Sequence, residues 1–327
     1  MDQKEKFKTM IGGQALIEGI MMRGPTKQCI ALRSKDEIIE QTTELKNNGK
    51  LMKIPFVRGP IMFFSSTISG VKALMYSAEV YASNTEGEDG KETEENSKPG
   101  KAITKGAVYL AALFGMLFSI FLFFFIPIVT GNAIQSLLGI GPVVQNIIEG
   151  FIRIAIFLTY MALVSRMKDM KRVFQYHGAE HKTIRCYEAK LPLTISNVRP
   201  MVRFHPRCGT SFLLVVMITS MIVFILATSL LNSIFPGLLA LREASHIQYN
   251  LIIMAIKIIV LLPIVVSFTY EFNRFLGKHD NCVSRILVAP GLWLQRLTTK
   301  EPTDNMIEVA IAAVIKVLPE HEGEDAW

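Results

Sequence analysis

Four long apolar stretches constrain this 327-residue chain more than any other feature of its sequence. The first, Ala107–Thr130, contains the run Leu117–Ile126 without a charge, and its roughly 24 residues exceed the roughly 20 that a helix needs to cross a bilayer. The other stretches cover approximately Val143–Ser165, Ser211–Phe235 and Tyr249–Tyr270. Helices this long and apolar are rare outside membranes. The sequence therefore predicts an α-helical polytopic membrane protein with four transmembrane helices.

The distribution of Lys and Arg around these stretches predicts the orientation of the chain. Ten basic residues lie between the second and third stretches, whereas residues 131–142, between the first and second, include none. We therefore expect a multi-pass protein of the cell membrane, with residues 166–210 and both termini cytoplasmic and residues 131–142 external. The net charge of +7 follows from this topology and from contact with anionic lipid. Membrane lipid is the expected partner, and nucleic acid is not.

The first hundred residues predict a small cytoplasmic, β-containing N-terminal module. Residues 28–33 and 37–43 alternate apolar and polar side chains around a polar turn, which is typical of a β-hairpin. Residues 61–82 have apolar positions at helical spacing and favour an amphipathic helix along the membrane.

These features predict four segments. They are a β-hairpin module with its amphipathic helix (1–83), a disordered acidic linker (84–101), a four-helix transmembrane region that includes the cytoplasmic 166–210 hairpin (102–270), and cytoplasmic or interfacial C-terminal helices (271–327).

The sequence His177-Gly-Ala-Glu180-His181 concentrates two imidazoles and a carboxylate in one helical turn. Residues four apart share a helix face, so His177 and His181 can present nitrogens to one ion while Glu180 stands beside them. The order His-x-x-Glu-His also matches the inverted zincin pattern, in which two histidines hold zinc and the glutamate is the general base. The alternative is that both histidines lie at the lipid headgroup level and bond phosphate, water or backbone carbonyls.

A second candidate cluster lies just before the third apolar stretch. His205 and Cys208 are three residues apart in a turn restrained by Pro206 and Gly209, which can direct an imidazole and a thiolate at one ion. The alternative is a membrane-entry turn with a buried cysteine. Because both clusters lie in one hairpin, we expect a shared site for a divalent metal. Mixed imidazole and thiolate ligands favour zinc over magnesium or calcium.

Glu18 and Arg23 lie in a glycine-rich segment and admit two interpretations. In the functional one, Arg23 binds an anionic group of a substrate, and Glu18 binds a metal or accepts a proton. In the structural one, the two residues form an ion pair across a bend that glycine permits.

Three ionisable residues fall within the apolar stretches. Glu149 and Arg153 are four residues apart on the second stretch, and Lys257 lies at a similar depth on the fourth. We expect this intramembrane charge cluster to hold two spans together, because charges within spans generally pair with one another. A conduction path through the membrane is the alternative.

Four motifs occur in order along the chain. They are Gly12-Gly-Gln-Ala through Arg23-Gly-Pro, His177–Lys182, His205–Phe212 and Pro290–Pro302. Together they resemble the YqhQ-like family of bacterial membrane proteins, and the resemblance covers nearly the whole chain. That family is described as predicted metal-dependent enzymes. The resemblance therefore implies functional roles for His177, Glu180, His181, His205 and Cys208, and it supplies no substrate.

Two functions from different classes follow. The first is a membrane-embedded, metal-dependent hydrolase at the cytoplasmic face of the inner membrane, in which the predicted ligands hold the ion and Glu180 assists a water molecule. The second is a transporter or membrane scaffold, in which the same residues form a structural metal site or line a polar vestibule. The number of protein ligands distinguishes the two functions. Three protein ligands plus water favour a catalytic site, whereas four protein ligands favour a structural site.

Overall fold

A computed structural model describes residues 7–45, 54–86, 105–279, 281–321 and 323–326 of the chain. It confirms the predicted fold class, a helical membrane protein with a small N-terminal sheet. The chain forms two compact units. The first comprises residues 1–90, 161–213 and 270–327, and the second comprises residues 91–160 and 214–269. Three segments that are distant in sequence thus build the first unit.

The α-helices of the described residues are numbered in chain order. They are α1 (Arg58–Glu86), α2 (Lys105–Ile120), α3 (Ile126–Leu138), α4 (Pro142–Val164), α5 (Lys168–Glu188), α6 (Ile195–Val198), α7 (Gly209–Ile234), α8 (Pro236–Ala244), α9 (His246–Ile256), α10 (Leu262–Lys278), α11 (Cys282–Thr298) and α12 (Asp304–Ile315). The helix predicted over residues 61–82 is present as α1. Residues 84–86 of the predicted linker belong to α1, and residues 87–101 lie outside the described residues.

The sheet of the first unit is an antiparallel meander. Its strands pair in chain order as β1 (Gly12–Leu16), β2 (Gly19–Arg23), β3 (Lys27–Ser34) and β4 (Glu37–Glu44). The predicted hairpin corresponds to β3 and β4. By contrast, β1 and β2 are not apparent from the sequence. Four of the five β2 residues are buried, so no alternation of apolar and polar residues marks this strand.

Helices cover both faces of the sheet. One face packs on α1 through a core of Leu16, Met21, Ile30, Leu32 and Ala73. The other face packs on α5 and α12 through a larger core that includes Ile20, Met22, Tyr176, Ile307 and Ala310. The sheet therefore holds α5, the helix that carries the His-x-x-Glu-His sequence, by an extensive apolar contact.

Among the described residues, four helical segments are long and apolar enough to cross a membrane, which confirms the predicted number. They run over Leu113–Leu138, Val143–Val164, Gly209–Ile234 and Gln248–Lys278. The first passes its predicted end at Thr130 and continues to Leu138, where Gly139 with φ of +64° terminates the helix. The first and fourth segments each contain a π-helical turn, at Phe121–Phe125 and Lys257–Leu261.

Glu149 connects three of these segments within the second unit. Its carboxylate accepts hydrogen bonds from Lys257 Nζ and from Gln145 Nε2, each at 3.0 Å. Gly131 provides the space for this side chain, since a Cβ atom there would lie 2.7 Å from Glu149 Cγ. Glu149 and Lys257 are both buried. The expected ion pair between the second and fourth spans is therefore present.

Arg153 does not join this ion pair, in contrast to the expected three-residue cluster. Its Nε donates to the carbonyl oxygen of Phe123 at 2.8 Å, and its guanidinium lies over the rings of Phe124 and Phe224. A π-helical turn alters the regular pairing of backbone groups, and an unpaired carbonyl is costly in a membrane. Arg153 therefore supplies a donor to the π-helical turn of the first span.

Replacing Glu149 with Gln should destabilise the protein, because Lys257 would remain buried without its carboxylate. Removing one partner of a buried ion pair costs about 3–5 kcal/mol. We expect a lower thermal unfolding midpoint for purified Glu149→Gln protein in detergent. The double variant, Glu149→Gln with Lys257→Gln, should lose less stability than the two single variants lose in total, because both residues contribute to one interaction. An unchanged midpoint together with the loss of a measured solute flux would instead support a transporter.

Candidate metal centre

His177, His181 and Cys208 converge within the first unit. The two histidines lie one turn apart on α5, and Cys208 directly precedes α7. Their ligand atoms all lie within 4.8 Å of one another, and His177 Nε2 is 3.2 Å from Cys208 Sγ. His181 is buried, and the other two residues are half-buried. The structure thus brings together residues from both predicted clusters in a group that could hold a metal ion.

Backbone carbonyl groups orient both imidazole rings. His177 Nδ1 lies 2.8 Å from the carbonyl oxygen of Thr298, and His181 Nδ1 lies 2.6 Å from that of Arg203. Because a carbonyl oxygen only accepts hydrogen bonds, Nδ1 is the protonated donor in each contact. Because Nδ1 keeps its proton in both contacts, Nε2 is the nitrogen of each ring that can bind a metal once it is deprotonated. Metal-binding histidines are commonly fixed by such a hydrogen bond through their second nitrogen.

The hydrogen bond from His177 to the Thr298 carbonyl depends on a close approach between α5 and the segment that follows α11. Gly178 lies at this crossing, and an added Cβ atom would overlap the carbonyl oxygen of Lys300. Lys300 N also donates to the carbonyl oxygen of Phe174 at 2.8 Å. The absence of a side chain at Gly178 therefore allows the end of α11 to reach His177.

The close contact of Cys208 with the imidazoles changes the pKa of both partners. Burial lowers the pKa of His177, but the adjacent Cys208 sulfur and the Glu180 carboxylate outweigh burial and raise it to about 9. Burial raises the pKa of Cys208, but His177 and His181 outweigh it and lower this pKa well below its usual value. The group therefore stabilises the thiolate, which is the form of cysteine that binds metals and acts as a nucleophile.

Glu180 lies beside this group, on the same helix. Its Oε1 accepts a hydrogen bond from the backbone N–H of Gly13 at 2.9 Å, whereas Oε2 has no hydrogen-bond partner among the described residues. Glu180 is only 5% exposed. Burial raises the pKa of Glu180, and the nearby His177 and His181 oppose this effect. A buried carboxylate oxygen without a donor is an acceptor for a water molecule or a reacting group.

His205 was also predicted as a ligand, but the structure leaves it outside the group. Its ring centre is 5.7 Å from that of His181, and its Nε2 lies 3.3 Å from the Glu188 carboxylate. The backbone N–H and carbonyl of His205 both bond to the side chain of Gln295. Burial lowers the pKa of His205 to about 4, so the neutral ring donates to Glu188. His205 therefore holds the turn that leads to Cys208.

Glu18 lies in the turn directly before β2 and Arg23 ends that strand, and the two do not form an ion pair with each other. The Glu18 carboxylate instead accepts from Arg172 Nε at 2.5 Å and from the Tyr176 hydroxyl at 3.3 Å. Arg23 is half-buried, and its Nη1 lies 3.5 Å from Ser66 Oγ. These contacts give Glu18 a structural role in holding the β1–β2 turn against α5.

The chain is thus a polytopic helical membrane protein with a His-His-Cys group that could hold a metal ion. The chain belongs to the family described as "Protein of unknown function (DUF1385)", which matches residues 54–320. It is 34% identical to "Uncharacterized protein YqhQ" of Bacillus subtilis (strain 168) over 320 aligned residues. This alignment covers 96% of this chain and 94% of that protein. The predicted resemblance to YqhQ is thus confirmed. No solved structure matches the chain significantly.

Gly13→Ala should destabilise the protein and displace Glu180. The added Cβ atom would lie 2.6 Å from the carbonyl oxygen of Met21 and 2.8 Å from Met22 Sδ, so β1 must shift together with its N–H group. Overpacking of this kind costs about 1–3 kcal/mol. Gly12→Ala is the matched control, because nothing lies within 4 Å of its Cβ position. Equal unfolding midpoints for the two variants would contradict this account of Gly13.

Proposed function

We propose that this protein is a membrane-embedded, metal-dependent hydrolase in which His177, His181 and Cys208 bind one zinc ion. The observation that carries the proposal is the convergence of these three ligand atoms within 4.8 Å beside the buried carboxylate of Glu180. Three protein ligands leave the fourth position of a tetrahedral site for water, as in catalytic zinc sites.

The donor atoms fit zinc in type, and one pair of them lies near the spacing of a tetrahedral site. Zn–N and Zn–S bonds of about 2.1 and 2.3 Å around a tetrahedral ion place nitrogen and sulfur about 3.6 Å apart. The observed separation of 3.2 Å between His177 Nε2 and Cys208 Sγ is close to this value. Imidazole and thiolate ligands also favour zinc, whereas magnesium and calcium favour oxygen ligands.

Zinc at such a site supplies Lewis-acid activation of water and of the bond to be cleaved. The residues of the chain provide the remaining functions. Glu180 Oε2 accepts the proton of the attacking water, while the Gly13 N–H fixes the orientation of the carboxylate through Oε1. Thr298 and Arg203 hold the two imidazoles through Nδ1, so that both Nε2 atoms face the site. His205 acts indirectly, as a positioning residue for the Cys208 turn.

Ligand substitutions test this assignment directly. His177→Ala, His181→Ala and Cys208→Ala should each reduce the zinc content of the purified protein to a small fraction of the wild-type value, because two ligands bind zinc weakly. Glu180→Gln should retain the zinc and lose hydrolytic activity, since a general base is removed and the ligands are not. His279→Ala, which changes an exposed histidine outside the group, is the matched control and should retain zinc. Full zinc occupancy in His177→Ala or His181→Ala protein would contradict the assigned ligands.

The contact between His177 and Cys208 also favours a second function, a hydrolase with a cysteine nucleophile. An imidazole nitrogen 3.2 Å from a thiol, with the ring oriented through its other nitrogen, is the arrangement of a nucleophile and its base. The low pKa of Cys208 suits this role. The zinc content of the purified protein distinguishes the two functions. Stoichiometric zinc supports the metal-dependent hydrolase, because a nucleophilic Cys208 needs no ion.

We also propose that residues 166–210 and both termini face the cytoplasm, as the basic residues indicate. In a Cys282→Ser background, which removes the exposed native thiol, a cysteine at Leu191 should react with an impermeant reagent only after permeabilisation. A cysteine at Gly141 should react in intact cells, and nothing lies within 4 Å of its Cβ position. The opposite labelling pattern would contradict the orientation and leave the metal assignment unaffected.

A further inference from the structure

One face of α11 is buried and supports the candidate metal centre. This face comprises Ser284, Gly291, Leu294, Gln295 and Thr298. The Gln295 side chain bonds the backbone of His205, and the Thr298 carbonyl bonds His177. Through these two contacts, the position of α11 determines the orientation of one proposed ligand and of the turn before another.

A second face of α11 is apolar and exposed. Five exposed side chains recur at helical spacing and form a stripe on this face: Val283, Ile286, Leu287, Pro290 and Trp293. The exposed fractions of Val283, Ile286 and Trp293 are 63%, 65% and 52%. We call these five residues the α11 stripe. The basic residues Arg285 and Arg296 lie on the remaining side of the helix.

The α11 stripe lies beside the end of a membrane span. Gln295 Nε2 donates to Ser211 Oγ at 2.9 Å, and a Cβ atom on Gly291 would lie 2.5 Å from the Cβ of Ser211. Ser211 belongs to the first turn of the third span, which starts at Gly209. The fourth span ends at Lys278, only four residues before α11 begins. Both connections place α11 at the level where the third and fourth candidate spans end.

α1 packs at the same level and is also apolar on an exposed side. Arg58 forms an ion pair with Glu271 near the end of the fourth span, and the ring of Phe63 lies 6.5 Å from that of Phe212 in the third. Further along α1, Phe64, Ile68 and Val71 are exposed at helical spacing. Two helices of the first unit thus present apolar surfaces beside the ends of the spans.

We propose that the α11 stripe inserts among the headgroups and upper acyl chains of the bilayer. Lipid is the occupant because α11 begins four residues after the fourth span and contacts the first turn of the third. Tryptophan also favours the membrane interface. The metal centre on the buried side of α11 then lies near headgroup depth. If the proposed function holds, its substrate is an amphiphile of the adjoining leaflet.

Depth-dependent quenching of Trp293 tests this insertion. The chain has two tryptophans, so Trp327→Phe leaves Trp293 as the only one. In phosphatidylcholine vesicles, lipids brominated near the headgroup should abolish most of its fluorescence, lipids brominated near the chain end should quench less, and aqueous acrylamide should quench weakly. Strong acrylamide quenching with none from brominated lipid would overturn the proposal, and so would strongest quenching by bromine near the chain end.

A matched pair of variants tests whether the stripe itself is responsible. In the Trp327→Phe protein, Ile286→Gln places a polar group in the stripe, whereas Ala289→Gln places it at an exposed position outside the stripe. Ile286→Gln should lose much of the quenching by brominated lipid, and Ala289→Gln should retain it. Equal quenching in both would contradict the proposal. The experiment needs no metal, so a failure of zinc binding and a failure of lipid insertion remain distinguishable.

Discussion

The hydrogen bond between His177 Nδ1 and the carbonyl oxygen of Thr298 is the interaction on which the candidate site depends. It keeps a proton on Nδ1 of His177 and directs Nε2 toward Cys208. It also links α5, which carries both histidines, to α11, which carries the exposed apolar stripe. The close approach at Gly178 makes this bond possible. A single backbone contact thus connects the chemistry of the group to the helix that we propose lies in the lipid.

α5 organises the rest of the first unit, because each of its faces meets a different partner. Tyr176 contributes to the core under the sheet, and Glu180 reaches the N–H of Gly13 in β1. His181 is held by the backbone of the segment before α7. The sheet therefore has a functional as well as a structural role in the proposed mechanism, since it fixes the general base. In the second unit, the ion pair of Glu149 and Lys257 accounts for two of the charges within the spans without requiring a transport path.

Features that depend on residue type and spacing could be predicted from the sequence, and features that depend on backbone groups could not. Apolar length marks the four spans, and the i, i+4 spacing of His177 and His181 places both on one helix face. Gly13 and Thr298 act through their main chains, so their residue types carry no signal of these contacts. Spacing alone also cannot show that the ring of His205 turns toward Glu188. Arg153 departs from its expected pair because a π-helical turn, which the sequence does not reveal, presents a carbonyl oxygen to it.

X-ray absorption at the zinc edge of the purified, zinc-loaded protein tests the central claim most directly. We expect one sulfur ligand at about 2.3 Å and nitrogen or oxygen ligands at about 2.0–2.1 Å, with imidazole scattering from two histidines. Cys208→Ser protein should lose the sulfur contribution. A zinc site without sulfur, or one whose spectrum is unchanged by Cys208→Ser, would contradict the His177, His181 and Cys208 assignment.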